Sequence, residues 1–169
     1  VLWSEPFTED AAREPAEAAA LRAELERRGW GDAVVHSHTG ASGPIRRIEW
    51  PHATTIPRVS VIVPTTGRND VVDMILGTLT ERTAYPELEV IFVDNGRGAH
   101  PEVIARLAGS GATVIERREP FNWSRLSKAG AAAAIGEMLL FLNDDIEATD
   151  PAWMDDLVRQ VRRPEVGVV

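Results

Sequence analysis

The chain has 169 residues and a formal charge of −8, from 18 Lys plus Arg against 26 Asp plus Glu. That balance lacks the basic surface a general nucleic-acid binder needs, and 44% apolar content is that of a globular protein rather than a disordered or fibrous one. No apolar stretch approaches the roughly 18 residues of a membrane span, the first residues carry no charged-then-apolar signal pattern, and without cysteine there is no disulfide, thiolate metal site or thiol nucleophile. In chain order, Pro15 suits a first helical turn, and Ala18, Leu21 and Leu25 form one apolar stripe that Gly29 ends. Ala33-Val34-Val35 and Ile45 to Trp50, separated by the Gly-rich stretch Thr39 to Pro44, predict a hairpin. Pro51 and Pro57 mark a linker.

From Arg58 the pattern alternates strand and helix. Val59 to Val63 is a first strand, and Asn69 or Asp70 can cap a helix with Val72, Ile75, Leu76 and Leu79 inward. Val90 to Val93 is a second strand, and Pro101 opens a helix with Val103, Ile104 and Leu107 inward. Thr113 to Ile115 is a third strand, and Asn122 to Ile135 an Ala-rich helix. Met138 to Leu142, five apolar residues in a row, predicts a strand buried on both faces. Asp150-Pro151 leads into a last helix with Trp153, Leu157, Val158 and Val161 inward. Repeated β-α units predict an α/β fold with parallel strands and helices on both faces. Ligands in such sheets bind beyond the carboxyl ends of the strands. The informative residues are therefore those that follow each strand: Thr65 to Arg68, Asp94 to Gly96, Arg117-Arg118 and Asn143 to Asp145. Val1 in place of Met, and the strand-like Val166 to Val169, predict a piece of a longer polypeptide.

Two adjacent carboxylates, Asp144 and Asp145, repel each other unless water, hydrogen bonds or a cation offset their charge. Oxygen ligands of this kind suit Mg²⁺ or Mn²⁺; the same residues also read as a polar turn. Asp94 can accept hydrogen bonds from a ribose or a base edge, while Asp94-Asn95-Gly96 is equally good turn chemistry. Thr65-Thr66-Gly67-Arg68 is neither a Gly-x-Gly-x-x-Gly loop nor a Walker loop. Its amides and hydroxyls can face a base or phosphate and Arg68 can pair with a phosphate, or the segment is a polar loop before a capped helix. Phe121-Asn122-Trp123-Ser124 opens a helix whose free amides, with Arg125 and Lys128, suit an anion, or it is simply a capped amphipathic helix. His36 and His38 share a strand face, but no third metal ligand is evident nearby, and they are given no role.

Taken together, Val59-Ser-Val-Ile-Val-Pro-Thr-Thr-Gly-Arg68, Val90-Ile-Phe-Val-Asp-Asn-Gly96, Pro120-Phe-Asn-Trp-Ser124 and Gly136-Glu-Met-Leu-Leu-Phe-Leu-Asn-Asp-Asp-Ile-Glu147 resemble the family 2 glycosyltransferases of the GT-A fold, in order and spacing, from about Pro57 to Val169. Residues 1–57 more loosely resemble the helix-plus-hairpin extension of some bacterial polysaccharide-building members. The resemblance implies a Rossmann-like, mostly parallel sheet of strand order 3-2-1-4, the nucleotide-binding half of the domain in residues 58–169, and the extension in residues 1–57.

It further implies an inverting transferase that moves a sugar from a UDP- or dTDP-type donor to a glycan or other hydroxyl acceptor, assisted by Mn²⁺ or Mg²⁺. Asp94 matches the acid that contacts the nucleoside. Asn143-Asp144-Asp145 matches the Asp-x-Asp-type metal motif with Asn in first place, so Asp145 is the expected direct metal ligand and Asp144 helps hold ribose or metal. Thr65 and Thr66 match the loop around the base. Arg68, Asn95, Asn122, Lys128 and Asn143 complete the expected donor-binding set, and Ser127 stands where many relatives have Asn. Inversion needs a general base, which in this family lies in the acceptor half. It is expected beyond Val169, so no catalytic residue is assigned and the chain is expected to bind donor but turn over poorly. The expected location is cytoplasmic, at the periphery of the inner membrane if the full-length protein is membrane-associated. A nucleotide-binding oxidoreductase module is disfavoured by the missing Gly-rich loop. A non-catalytic nucleotide-binding or scaffold domain also stays open: the motif set argues against it, and the truncated end allows it. A nucleotidyltransferase would carry a Gly- and Arg-rich loop after the first strand.

Overall fold

The computed structural model describes residues 13–40, 43–52 and 55–169. The turn expected at Ala41-Ser42 and the first twelve residues of the N-terminal extension lie outside them. The chain divides into two compact units, 1–53 with 156–169, and 54–155.

The first unit begins with α1 (Arg13–Arg27). Gly29, at φ +83°, ends it: the Trp30 and Gly29 amides donate back to the Leu25 and Glu26 carbonyls at 2.8 and 2.9 Å. Only a residue that tolerates positive φ closes a helix this way without strain. Next, β1 (Val34–Gly40) and β2 (Gly43–Glu49) pair antiparallel, with Gly40 opposite Gly43. The strands run further toward the turn than Val35 and Ile45, because backbone pairing continues through the polar residues between them. Leu25, Val35 and Trp50 form the unit's core, with Leu21, Trp30, Ala33 and Ile48 packed against it. The Arg163 guanidinium lies 4.2 Å over the Trp50 ring, and Arg159 donates to Glu49 at 3.0 Å. Hydrogen bonds from His36 and then Arg159 hold the Glu49 carboxyl below its ordinary pKa. The His36 and His38 rings stack at 6.3 Å, and His36 Nε2 sits 2.8 Å from Glu49.

The second unit runs β3 (Val59–Thr65), α2 (Asn69–Thr80), β4 (Leu88–Asp94), α3 (Pro101–Gly109), β5 (Thr113–Glu116), α4 (Trp123–Ala131) and β6 (Met138–Phe141). The last helix, α5 (Trp153–Val161), starts in this unit and runs on into the 156–169 segment. Its innermost residue in this unit is Met154, which lies outside the expected stripe. The sheet order is β5-β4-β3-β6 and every pairing is parallel. Counted among the parallel strands alone this is 3-2-1-4, as the resemblance implies. β3 lies between two neighbours and is buried along its whole length. On one face Ile62, Ile91 and Val93 pack with Leu126 of α4. The alternate residues Val61, Val63 and Phe92, also fully buried, point to the other face. Gly130 lets α4 lie directly on the sheet, since a Cβ there would overlap the Ile62 side chain.

Three local expectations fail. The Ala-rich helix expected to reach Ile135 ends at Ala131. β6 is not buried on both faces: Leu139 is 47% and Phe141 42% exposed. An apolar run signals a strand but not what covers it, and β6 ends the sheet, with β3 on one side only. The cap position of α2 belongs to Arg68, whose extended backbone makes no side-chain cap, while Asn69 is already helical.

Candidate active site

The carboxyl edge of the sheet is organised around Thr65, the last residue of β3. It is in register with Asp94, the last residue of β4. Its hydroxyl donates to Asp144 Oδ2 at 2.8 Å and accepts from the Gly67 amide at 3.1 Å. One side chain thus joins the ends of β3 and β4 to the loop after β6. That loop starts where the Leu142 amide donates to the Ile62 carbonyl at 3.0 Å. Asp94 and the Asp144-Asp145 pair therefore share one edge.

Asp94 is only 3% exposed. Its Oδ1 accepts from the Gly96 amide at 2.8 Å, and the Asn95 amide donates to the Thr65 carbonyl at 2.8 Å. This turn fits only because residue 96 is glycine: a Cβ there would overlap the Thr66 carbonyl oxygen. The Asn95 side chain is consumed structurally, donating to the Arg117 and Glu119 carbonyls at 2.8 and 2.9 Å and so tethering the β5–α4 connection.

A pocket of about 360 Å³ opens at this edge, lined by Pro64, Thr65, Thr66, Phe121, Trp123, Asn143, Asp144 and Asp145. Asp144 is half-buried, and Asn143 and Asp145 are exposed. No group of three or more His, Cys, Asp or Glu suited to one metal ion occurs among the described residues. The Asp144-Asp145 pair is an oxygen donor set of the kind that Mg²⁺ and Mn²⁺ accept when substrate phosphates and water supply the remaining ligands.

Of the sequence-predicted residues, Thr65, Thr66, Asn143, Asp144 and Asp145 meet at the pocket, and Asp94 adjoins it through Thr65. The others do not line it. Arg68 is exposed and pairs with Asp70 at 2.6 Å, which holds the Asp70 carboxyl below its ordinary pKa. Asn122 caps α4, its Oδ1 accepting from the Arg125 amide at 2.9 Å. Lys128 is exposed on α4, off the stripe Leu126, Ser127 and Gly130 that faces the sheet. Ser127 is buried and its hydroxyl has no hydrogen-bond partner.

Sequence reasoning missed Thr78. This buried side chain of α2 donates to the Ile146 carbonyl at 3.1 Å and accepts from the Ala148 amide at 3.2 Å, pinning the loop that carries Asp144 and Asp145. Its signal was a hydroxyl on an apolar stripe, three residues after Ile75. Arg82 pairs with Glu147, and the Ala84 amide donates to the Pro151 carbonyl at 2.9 Å, fixing the same loop further along.

The family described as Glycosyl transferase family 2 matches residues 60–169. The O-antigen biosynthesis protein RfbC of Myxococcus xanthus is 38% identical over 154 residues, covering 89% of this chain and 12% of that protein. The protein y4gI of Sinorhizobium fredii is 34% identical, covering 100% of this chain and 20% of that one. The chain thus spans a fifth or less of these relatives. Among solved structures, mannosyltransferase PcManGT from Pyrobaculum calidifontis, in complex with GDP-Man and Mn²⁺, superposes with a TM-score of 0.60 at 21% identity, over 91% of this chain and 42% of that one. Glucosyl-3-phosphoglycerate synthase from Mycobacterium tuberculosis, in complex with Mn²⁺, UDP and glucosyl-3-phosphoglycerate, gives 0.51 at 20% identity, over 64% and 41%. At these identities the two structures establish the shared fold. With the family match extending over most of the chain, and the motif blocks falling at the carboxyl edge of its sheet, the chain belongs to glycosyl transferase family 2.

Proposed function

We propose that this chain carries the donor-binding part of a glycosyltransferase that takes a sugar from a UDP- or dTDP-type nucleotide and delivers it, with inversion, to a hydroxyl of a glycan acceptor. Residues 58–169 are the nucleotide-sugar-binding half and residues 1–57 an N-terminal extension. The observation that carries this reading is Thr65, in register with Asp94 and hydrogen-bonded to Asp144. It gathers onto one edge of the sheet an acid for the nucleoside and a pair of acids for a divalent cation. The GDP-Man and Mn²⁺ of the Pyrobaculum structure and the UDP and Mn²⁺ of the mycobacterial one support the same pairing of ligand types.

In this reading Asp94 Oδ1 is held by the Gly96 amide, leaving Oδ2 to accept a hydrogen bond from the nucleoside. Thr66, exposed at the pocket, lies beside the base. Asp145, with Asp144, holds Mn²⁺ or Mg²⁺, which when bound neutralises the charge that develops on the departing diphosphate, a contribution of several kcal/mol. Thr65 fixes the Asp144 carboxylate through its hydroxyl, so that the group need not reorganise when the donor arrives. Asn143 adds an amide at the pocket wall. Asn95 and Asn122 act on the donor only indirectly, by shaping the loops on either side of it, while Arg68, paired with Asp70, and Lys128 stand off the pocket as exposed cations. A crystal soaked with UDP and Mn²⁺ tests the assignment. Nucleoside density against Asp94 with an anomalous peak at Asp145 is the expected result, and nucleotide bound away from both acids refutes it.

A further inference from the structure

The inward stripe of α4 runs off the edge of the sheet. Trp123, Ser127 and Gly130 follow one another at helical spacing, with Leu126 between. Leu126, Ser127 and Gly130 are buried against the sheet, yet Trp123, on the same stripe, is 42% exposed. Its indole packs edge-to-face on Phe141, the last residue of β6, at 6.1 Å between centroids. Having overrun the strand, it borders the pocket that holds Asp144 and Asp145, with Phe121, 61% exposed, beside it. The mounting is rigid: Asn122 caps the helix at its first turn, and Gly130 seats it directly on Ile62.

A half-exposed indole beside Phe121 and Pro64, in a pocket that also presents threonine side chains, the Asn143 amide and two carboxylates, suits a ligand with an apolar face and a polar rim. A pyranose has both, with C–H bonds on its face and hydroxyls around its edge. On the reading of the site given above, we propose that Trp123, flanked by Phe121, is the platform against which the sugar ring of the donor packs. Asp94, at the β4 end of the edge, takes the nucleoside, while the indole lies with the acids that follow β6, and the diphosphate spans between them. Trp123 is a specificity-determining residue that touches the sugar and not the base.

The test compares UDP with UDP-sugars, and dTDP with dTDP-sugars, by calorimetry in Mn²⁺ on the full chain and on Trp123→Ala and Trp123→Phe. Trp123→Ala weakens the sugar nucleotide about five- to tenfold while changing the bare diphosphate less than about twofold, as expected for one aromatic contact. Trp123→Phe, which keeps the contact with Phe141, retains most of the affinity. Equal loss for both ligands places the indole on the nucleotide and overturns the proposal, as does no loss for either. If no nucleotide binds the unaltered chain, the reading of the site falls and the platform with it. Mn²⁺-dependent diphosphate binding without a sugar-specific loss overturns the platform alone.

Discussion

Thr65 is the residue on which the site geometry turns. Its hydroxyl donates to Asp144 and accepts from the Gly67 amide, so Thr65→Val removes both bonds and leaves a buried amide unpaired. Such a loss costs about 1–3 kcal/mol. The expected outcome is weaker Mn²⁺-dependent nucleotide binding by calorimetry, restored by Thr65→Ser, which keeps the hydroxyl. Gly96 is the complementary case. A methyl group there meets the Thr66 carbonyl, a backbone atom that cannot swing aside, and Gly96→Ala is expected to destabilise the fold by roughly 1–3 kcal/mol in urea melts. Gly77, inside α2 with open space where its Cβ would stand, behaves oppositely. Gly77→Ala is expected to stabilise by about 0.5–1 kcal/mol, and the same melts check the pair.

Among the elements, α2 does more than cover the sheet. Its Thr78 hydroxyl holds the Ile146 carbonyl and the Ala148 amide. Thr78→Val should therefore lower stability by about 1–2 kcal/mol and loosen the acidic loop, seen as faster amide exchange at Ile146 to Ala148. The order of strands and helices in the second unit was legible from alternating apolar runs and their Pro and Gly breaks, because those patterns report periodicity directly. Exposure was not legible: Leu139 and Phe141 read as core until the sheet order placed β6 at the end. Side-chain polar links such as Thr78 to Ile146 span 68 residues and leave no local trace beyond a hydroxyl among apolar neighbours. At the site, the acids were found by the strands they end or follow, whereas Asn95 and Asn122 looked like ligand contacts because an amide side chain serves a loop or a cap as readily as a substrate. Within α1, hydrogen bonds from Arg27 and then Arg28 lower the Glu24 pKa from 4.5 to about 2. A carboxyl whose folded pKa is depressed contributes stability above its unfolded value and loses it as pH falls toward the folded one. The helical circular-dichroism signal should accordingly weaken between about pH 4.5 and 2, and Glu24→Gln should flatten that dependence; both effects shrink in high salt because the pairs are exposed.

At the scale of the whole molecule, an acidic chain is proposed to hold an anionic donor. With a net charge of −8, the protein repels a nucleoside diphosphate at long range. No helix among the described residues is long and apolar enough to cross a membrane. A cation held by Asp144 and Asp145 reconciles the two signs: it turns the most acidic part of the pocket into the place where phosphates are stabilised. The most direct measurement is a calorimetric titration of UDP, dTDP and GDP into the protein in Mn²⁺ and again in EDTA, for the unaltered chain and for Asp145→Ala. The account predicts that at least one of them binds in Mn²⁺, weakens about tenfold or more in EDTA, and binds Asp145→Ala in Mn²⁺ no better than the unaltered chain in EDTA. Equal affinity with and without the metal would contradict it.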